Sequence, residues 1–269
     1  MSARLRAEQG ALAAIGAVLA AFLAVPILAL FVTATAADVE QGLRHPLVWP
    51  ALRLSLVTTA ASLALVVVLG TPLAWTLARA RGRLARAVET AVQLPIVIPP
   101  AVAGVAMLLA FGRRGLLAGW LYPEGWSVTF TTAAVVMAEV FVSAPFFVQA
   151  ATSAFRRVDP KLVVVARTFG ASPLRVFFRV ALPLSAPGLV AGAAMSWARS
   201  LGEFGATLMF AGNLQGRTQT LPLAIYTALE SDMRAAQALS MVLVAVAFAL
   251  LLLVRAAARR SAGRGEAAP

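Results

Sequence analysis

The sequence contains no cysteine and a single histidine, His45. Disulfides, thiolate metal sites and cysteine nucleophiles are thereby excluded, and neither a histidine-rich metal site nor a histidine-based triad can be assembled. Charge is scarce: Asp, Glu, Lys and Arg make up 13% of the 269 residues, about half the usual share. Acidic residues are the scarcest, 11 against 23 Lys and Arg, which leaves a formal net charge of +12. No Gly-x-x-x-x-Gly-Lys-Ser/Thr run is present, so the chain lacks the loop that cradles nucleotide phosphates in many ATPases. The basic residues sit in short clusters between apolar runs and are not interleaved with aromatics, which argues against nucleic acid as a partner.

What the chain has in excess is apolar surface. Hydrophobic residues make up 61% and the mean hydropathy is +0.86. A globule of this length cannot hide that much apolar surface from water, so the solvent for much of it is lipid. A helix needs about 20 apolar residues to cross a bilayer. Six stretches qualify: 11–34, 54–77, 92–111, 131–153, 185–210 and 236–254. Four of the six carry no Asp, Glu, Lys or Arg, and none alternates as a barrel strand would. The expected fold is an all-α integral membrane protein of six transmembrane helices. It divides into an N-terminal segment 1–10, a membrane domain 11–254 and a basic tail 255–269.

Basic residues set the orientation. Taking alternate sides, 16 of them fall on one face, in the clusters around Arg4, Arg79–Arg86, Arg156–Arg179 and Arg255–Arg264. Six fall on the other: Arg44, Arg53, Arg113, Arg114, Arg217 and Arg234. Both termini are expected in the cytoplasm. The first span also has a small-residue site behind it, Ala34-Thr35-Ala36, as a cleaved signal peptide would. The run is longer than the roughly 7–15 residues of a signal core, which favours a retained helix.

The long connection 154–184 lies on the basic face and reads as two short helices. Asp159 can cap a helix that Pro160 and Lys161 begin, and Gly170 can stop it in a left-handed conformation. Ser172-Pro173 starts a second helix, with Pro183 and Pro187 framing entry to the next span. Apolar residues between basic ones suit either a loop lying on anionic lipid or a docking surface for a soluble partner.

Here the sequence resembles a known family. Ala166-Arg167-Thr168-Phe169-Gly170-Ala171-Ser172-Pro173, followed by Val180-Ala181-Leu182-Pro183, is similar to the cytoplasmic signature loop of ABC importer permeases. The spacing from Gly170 to Leu182-Pro183 matches. Of the Glu-Ala-Ala opening only Ala166 agrees, with Val164 and Val165 in the other two places. The resemblance implies that 159–169 is a coupling helix seated on a separate ATPase subunit. It implies the type I importer fold seen in the methionine importer and, for this chain, no cofactor of its own, since ATP and Mg would be bound by the partner.

Three further stretches resemble molybdate/tungstate permeases: Leu94 to Pro100 with Gly104, Phe111 to Leu117, and Arg199-Ser200-Leu201-Gly202-Glu203-Phe204-Gly205-Ala206-Thr207 leading through Asn213 to Arg217-Thr218-Gln219-Thr220-Leu221-Pro222. Sulfate permeases look similar at Gly202–Gly205, and the downstream run favours molybdate or tungstate over sulfate or thiosulfate. The resemblance implies a homodimer, two ATPase subunits and an extracytoplasmic oxyanion-binding protein. It would place Asn213, Arg217, Thr218, Gln219 and Thr220 in an extracytoplasmic loop.

Read without the family, 185–210 carries small residues at spacing four: Gly188, Gly192, Ser196 and then Ala198, Gly202, Ala206. Such ridges let helices approach closely. Arg199 and Glu203 share a helix face and can pair. A lone charge at mid-membrane costs about 2.5–3.5 kcal/mol on insertion scales, so charges there are held by a pathway or by a clamp between helices. Arg199, Gly202, Glu203, Phe204, Gly205 and Thr207 are the candidate path or gate. Glu139 is the other charge inside a span, with Arg199 as a candidate partner, and Ser143 is available to bond backbone freed by Pro145. A secondary transporter is the main rival, but no internal repeat is visible and the loop 154–184 has no task in it. A membrane enzyme would need clustered His, Asp, Glu or Cys, which the sequence does not offer.

Overall fold

The computed structural model describes residues 3–122 and 125–266. The outermost residues of the expected N-terminal segment 1–10 and tail 255–269 lie outside the described residues. Thirteen α-helices are present among the described residues, with no strand. They are α1 (Ala3–Val32), α2 (Ala36–Leu43), α3 (Val48–Arg79), α4 (Arg83–Val97), α5 (Pro100–Phe111), α6 (Ala118–Leu121) and α7 (Thr132–Arg156). Then come α8 (Pro160–Thr168), α9 (Pro173–Val176), α10 (Leu182–Leu201), α11 (Gly205–Ala211), α12 (Leu221–Ser231) and α13 (Met233–Glu266). A π-turn, Phe177–Ala181, joins α9 to α10.

Five helical stretches are long and apolar enough to cross a membrane: Leu12–Val32, Val48–Arg79, Thr132–Arg156, Pro173–Leu201 and Met233–Leu253. The expected third span, 92–111, is not one helix. It straddles α4 and α5, which meet at 119° across Ile98-Pro99. Pro99 and Pro100 supply no N–H and disfavour helix in the residue before them, so the helix stops and a new one starts at Pro100. The expected fifth span, 185–210, is also divided: α10 ends at Leu201 and α11 begins at Gly205.

The centre of the fold is the trio α3, α7 and α10, which pack on one another. The small-residue ridge of α10 makes this possible. A Cβ on Gly192 would stand 2.8 Å from Cβ of Ala150, and one on Gly188 would stand 2.5 Å from Cβ of Ala154, so any larger residue would force α10 off α7. For Gly188 and Gly192, close packing is therefore the role. Around the trio, α5 and α11 pair against the upper part of α7 through Met107, Ala206 and Phe210. At the opposite flank α12 and α13 close over the start of α3 through Leu221, Ala224 and Leu239. The first span stands apart: none of its residues is buried, and its link to the bundle is Gln237 of α13, which donates to Leu30 O at 3.0 Å and Thr33 Oγ1 at 2.9 Å. Such an all-round apolar helix suits lipid or a neighbouring chain. Behind it, Thr35 and Asp38 form a capping box that starts α2.

Candidate coupling element and polar seam

The connection 154–184 is built from local bonds. Asp159 Oδ1 accepts from the Lys161 N–H at 2.8 Å, and Pro160 fills the first helical position, where no donor is needed. At the other end Gly170 has φ +79°. Its N–H donates to Arg167 O at 2.9 Å and the Ala171 N–H donates to Ala166 O at 3.1 Å, the paired bonds of a Schellman stop. Thr168 closes the last turn on Val164 O at 2.8 Å. Ser172 then caps α9, accepting from the Arg175 N–H at 3.3 Å, and Pro173 opens it.

Two separate short helices were expected here. Only α8 is separate. The second, α9, runs through the π-turn into α10, making one 29-residue stretch, Pro173–Leu201. The π-turn has a local cause: Pro183 cannot donate to the carbonyl four residues back, and its ring would clash with that carbonyl. Widening the turn by one residue relieves this, with the Leu182 N–H donating to Phe177 O. The Leu182-Pro183 pair of the signature thus sets the elbow between α8 and α10.

The outer face of α8 is apolar although it lies at the end of the bundle. Val163 alone is buried in this helix; Leu162, Val164 and Val165 are exposed, and Phe169 is 88% exposed. Val164, in the place of the family's Glu, points outward. An apolar cluster rimmed by Lys161 and Arg167 is the pattern of a helix that seats in a partner's groove.

The second constellation is buried. Where α10 ends, Arg199 Nη2 stands 2.7 Å from Glu203 Oε2; Glu203 is 1% exposed and Arg199 27%. Glu203 is not in a helix. Its Oε1 accepts from the Ala206 N–H at 2.7 Å and so caps α11. One carboxylate thereby ties the end of α10 to the start of α11. Gly205 sits against Pro100 at the start of α5, so the two helix breaks adjoin. Thr207 is fully buried with an unpartnered hydroxyl, the Phe204 and Tyr226 rings pack at a tilt of 54° with centroids 5.4 Å apart, and Gly202 is exposed.

Glu139 does not pair with Arg199. Its Oε1 accepts from Thr58 Oγ1 at 2.8 Å, which links α7 to α3. Ser143 does not serve the backbone freed by Pro145 either. Its carbonyl accepts from Ser196 Oγ at 3.0 Å, linking α7 to α10, while its own hydroxyl has no partner. Trp197 Nε1 donates to Thr59 Oγ1 at 3.0 Å, and Ser55 Oγ accepts from the Leu221 N–H at 2.7 Å. Together these groups form a polar seam through the trio. Sequence reasoning missed Ser55, Thr58, Thr59, Ser62 and Trp197. A signal was there: the hydroxyls fall at i, i+3, i+4 and i+7 of an otherwise apolar span, one buried stripe.

The run Arg217–Thr220, expected as an extracytoplasmic loop, is mostly interior. Thr218, Gln219 and Thr220 are buried, and only Arg217 is exposed. Thr218 Oγ1 accepts from the Leu214 N–H at 2.9 Å and donates to Gly212 O at 3.2 Å, closing a loop that turns the chain back into the bundle. Gln219 and Asn213 both donate to Thr227 Oγ1 of α12, at 3.2 and 2.9 Å. The segment holds α12 in place against α3 and α13.

A model of the binding-protein-dependent transport system inner membrane component family matches residues 67–263, which contain α8, the elbow and the α7 and α10 sides of the seam. The chain belongs to that family. It is similar to the molybdenum transport system permease protein ModB of Mycobacterium tuberculosis, with 48% identity over 231 residues, covering 86% of this chain and 88% of that one. A probable transport system permease protein NifC of Clostridium pasteurianum is 40% identical over 77% of this chain and 72% of its own. The ModB protein of Escherichia coli K12 is 36% identical over 77% of this chain and 90% of its own. In fold, the chain is similar to a bacterial alginate ABC transporter chain, with a TM-score of 0.77 and 17% identity over 96% of this chain and 95% of that one. It is also similar to a chain of the MetNI methionine ABC transporter, with a TM-score of 0.65 and 20% identity over 80% of this chain and 96% of that one. The type I importer permease fold is thus shown: among the described residues the chain is all-helical, with five stretches long and apolar enough to cross a membrane and the bent pair α4–α5 where the expected third span lies.

Proposed function

We propose that the chain is the membrane subunit of an ATP-driven importer of molybdate or tungstate. It works as two copies beneath an extracytoplasmic oxyanion-binding protein and above two ATPase subunits. The observation that carries this is the 48% identity to a molybdenum permease along 86% of the chain, a stretch that includes α8 and the seam. Both termini lie in the cytoplasm in this reading, supported by the 16-to-6 division of basic residues. ATP and Mg are bound by the partner ATPase.

The geometry supplies a mechanism. In it α8 seats its exposed face on the ATPase subunit, and the movement of that subunit on ATP binding is passed to α10. The transmission is stiff: three residues, Phe169, Gly170 and Ala171, separate α8 from the Ser172 cap, and α9, the π-turn and α10 are continuous. At about 1.5 Å per residue, α10 carries the displacement some 30 Å to Arg199 and Glu203, whose bonds tie it to α11 beside the break before α5. Arg199, Gly202, Glu203, Phe204, Gly205 and Thr207 form the gate in this account. Arg199 is the fixed cation nearest the gate, and Glu203 neutralises it, so a dianion would be passed rather than held. High affinity then resides in the binding protein.

Proteoliposomes containing the full complex test the proposal by ATP-dependent uptake of molybdate and tungstate, counted by elemental mass spectrometry. Uptake that sulfate in tenfold excess leaves unchanged is expected. Uptake of sulfate in preference to either metal oxyanion would refute the substrate assignment.

A further inference from the structure

An apolar groove of about 510 Å³ lies between the lower part of α3 and the elbow that joins α9 to α10. On α3 it is lined by Val67, Val68 and Trp75, on the elbow by Leu174, Phe177 and Phe178. The π-turn helps to make it. The wider turn brings Leu182 over Phe177, five residues back, while Phe178 stands beside Leu182 as i and i+4 do in any helix. Trp75 packs edge-on to Phe177 with centroids 5.3 Å apart, so the floor is aromatic and fixed. The lining has one hydroxyl, on Thr71, and it is already bonded within α3 to Val67 O. Apart from the Trp75 indole N–H, the groove offers an entering molecule apolar contact alone.

Three arginines flank the lining residues in the chain, and one of them touches a lining ring. The Arg79 guanidinium lies 3.5 Å above the Trp75 ring. Arg175 and Arg179 are exposed, each one residue beyond an exposed apolar lining residue, Leu174 and Phe178. Among the described residues, none of these three arginines has an acidic partner within 4 Å; the ion pairs formed involve Arg44, Arg156, Arg199 and Arg234.

Two occupants are disfavoured on physical grounds. A soluble protein cannot fill the groove, because Val67 lies about 18 Å along α3 from Arg79 and so within the apolar stretch of the span. A second copy docking here about a two-fold axis would set three arginines against the same three arginines, a like-charge juxtaposition. A molecule with a long apolar body and a compact anionic head satisfies both halves. We propose that the groove is a binding site for an acidic phospholipid, one acyl chain lying along α3 from Trp75 toward Val67 and the phosphate held by Arg79, Arg175 and Arg179. Bound there, the lipid braces α3 against the elbow that links α8 to α10.

Quenching of Trp75 tests this. The full complex is placed in nanodiscs containing lipids brominated at mid-chain, with either phosphatidylglycerol or phosphatidylcholine heads. The Trp75 contribution is obtained by difference from Trp75→Phe, since the chain has five tryptophans. Brominated phosphatidylglycerol is expected to quench Trp75 at mole fractions where phosphatidylcholine does not. Removing Arg175 and Arg179 (R175Q and R179Q) raises the phosphatidylglycerol needed by about fivefold for each arginine. Val68→Phe fills the groove while leaving the arginines, and should abolish the selective quenching without disturbing assembly with the ATPase. Equal quenching by the two lipids would reduce the groove to ordinary lipid contact and overturn the proposal. Loss of quenching on adding inorganic phosphate would make the site one for a free anion, and no quenching by either lipid would mean that protein covers it; both outcomes also overturn the proposal.

Discussion

The coupling element and the polar seam are made of similar parts used in opposite ways. In α8 and its flanks every defining bond closes within five residues: Asp159 to Lys161, Gly170 to Arg167, Ala171 to Ala166, Ser172 to Arg175. Its apolar residues face outward. In the seam the defining bonds join residues far apart in the chain, 81 positions for Thr58 and Glu139, 138 for Thr59 and Trp197, 166 for Ser55 and Leu221. Its polar residues face inward. One region is preassembled and, in the proposed function, waits for the ATPase subunit. The other exists only when the bundle has closed, so it can sense how the bundle is closed. A transporter that turns a docking event into a change of access needs one of each.

The comparison can be broken most forcefully at Glu203, beside the seam, whose bonds are short in sequence but join α10 to α11 inside the bundle. Glu203→Ala leaves Arg199 without its counter-charge and α11 without its cap. Loss of one partner of a buried pair costs about 3–5 kcal/mol, which should show as a sharply lowered thermal transition of the purified complex. The double variant Arg199→Met, Glu203→Met should recover more than half of that loss while transport stays impaired; a double variant no better than the single would mean that the carboxylate acts through the α11 cap alone. Next in size, Thr58→Val removes the hydrogen bond that Thr58 donates to Glu139 and should cost about 1.5–3 kcal/mol, again read as thermal stability. On the coupling side the effects on stability shrink while those on function do not. Gly170→Val places a β-branched residue at φ +79° and costs about 1–2 kcal/mol, enough to unseat the stop of α8 and lower transport-coupled ATP hydrolysis about tenfold. Asp159→Ala removes a cap worth about 1 kcal/mol and should lower coupling less than Gly170→Val does. Phe169→Ser, at a position 88% exposed, should leave stability unchanged and still weaken ATPase copurification. If stability and coupling fell in parallel across all five, the division between the two regions would be wrong.

The same contrast explains what could be read in the chain beforehand. The caps, the Gly170 stop and the apolar spans are legible because short-range geometry dictates them. The break at Pro99-Pro100 was equally local and could have been read from the tandem prolines; apolarity alone ran the span across it. The break at Gly202–Phe204 was hidden by continuous hydrophobicity, and the bond that stabilises it, Glu203 to the Ala206 N–H, was masked by a plausible helical pairing with Arg199. That pairing exists, but across a helix end. The burial of Thr218–Thr220 was not legible at all, because Arg217 and the neighbouring polar residues read as surface, and the partner of Gln219 lies in α12.

ATP hydrolysis by the reconstituted complex, measured with and without the binding protein loaded with molybdate, tests the link between docking element and gate most directly. Stimulation by the loaded protein is predicted, lost in Phe169→Ser although the binding protein still associates. A rate indifferent to the loaded binding protein, or one raised equally by a sulfate-loaded protein, would contradict the account.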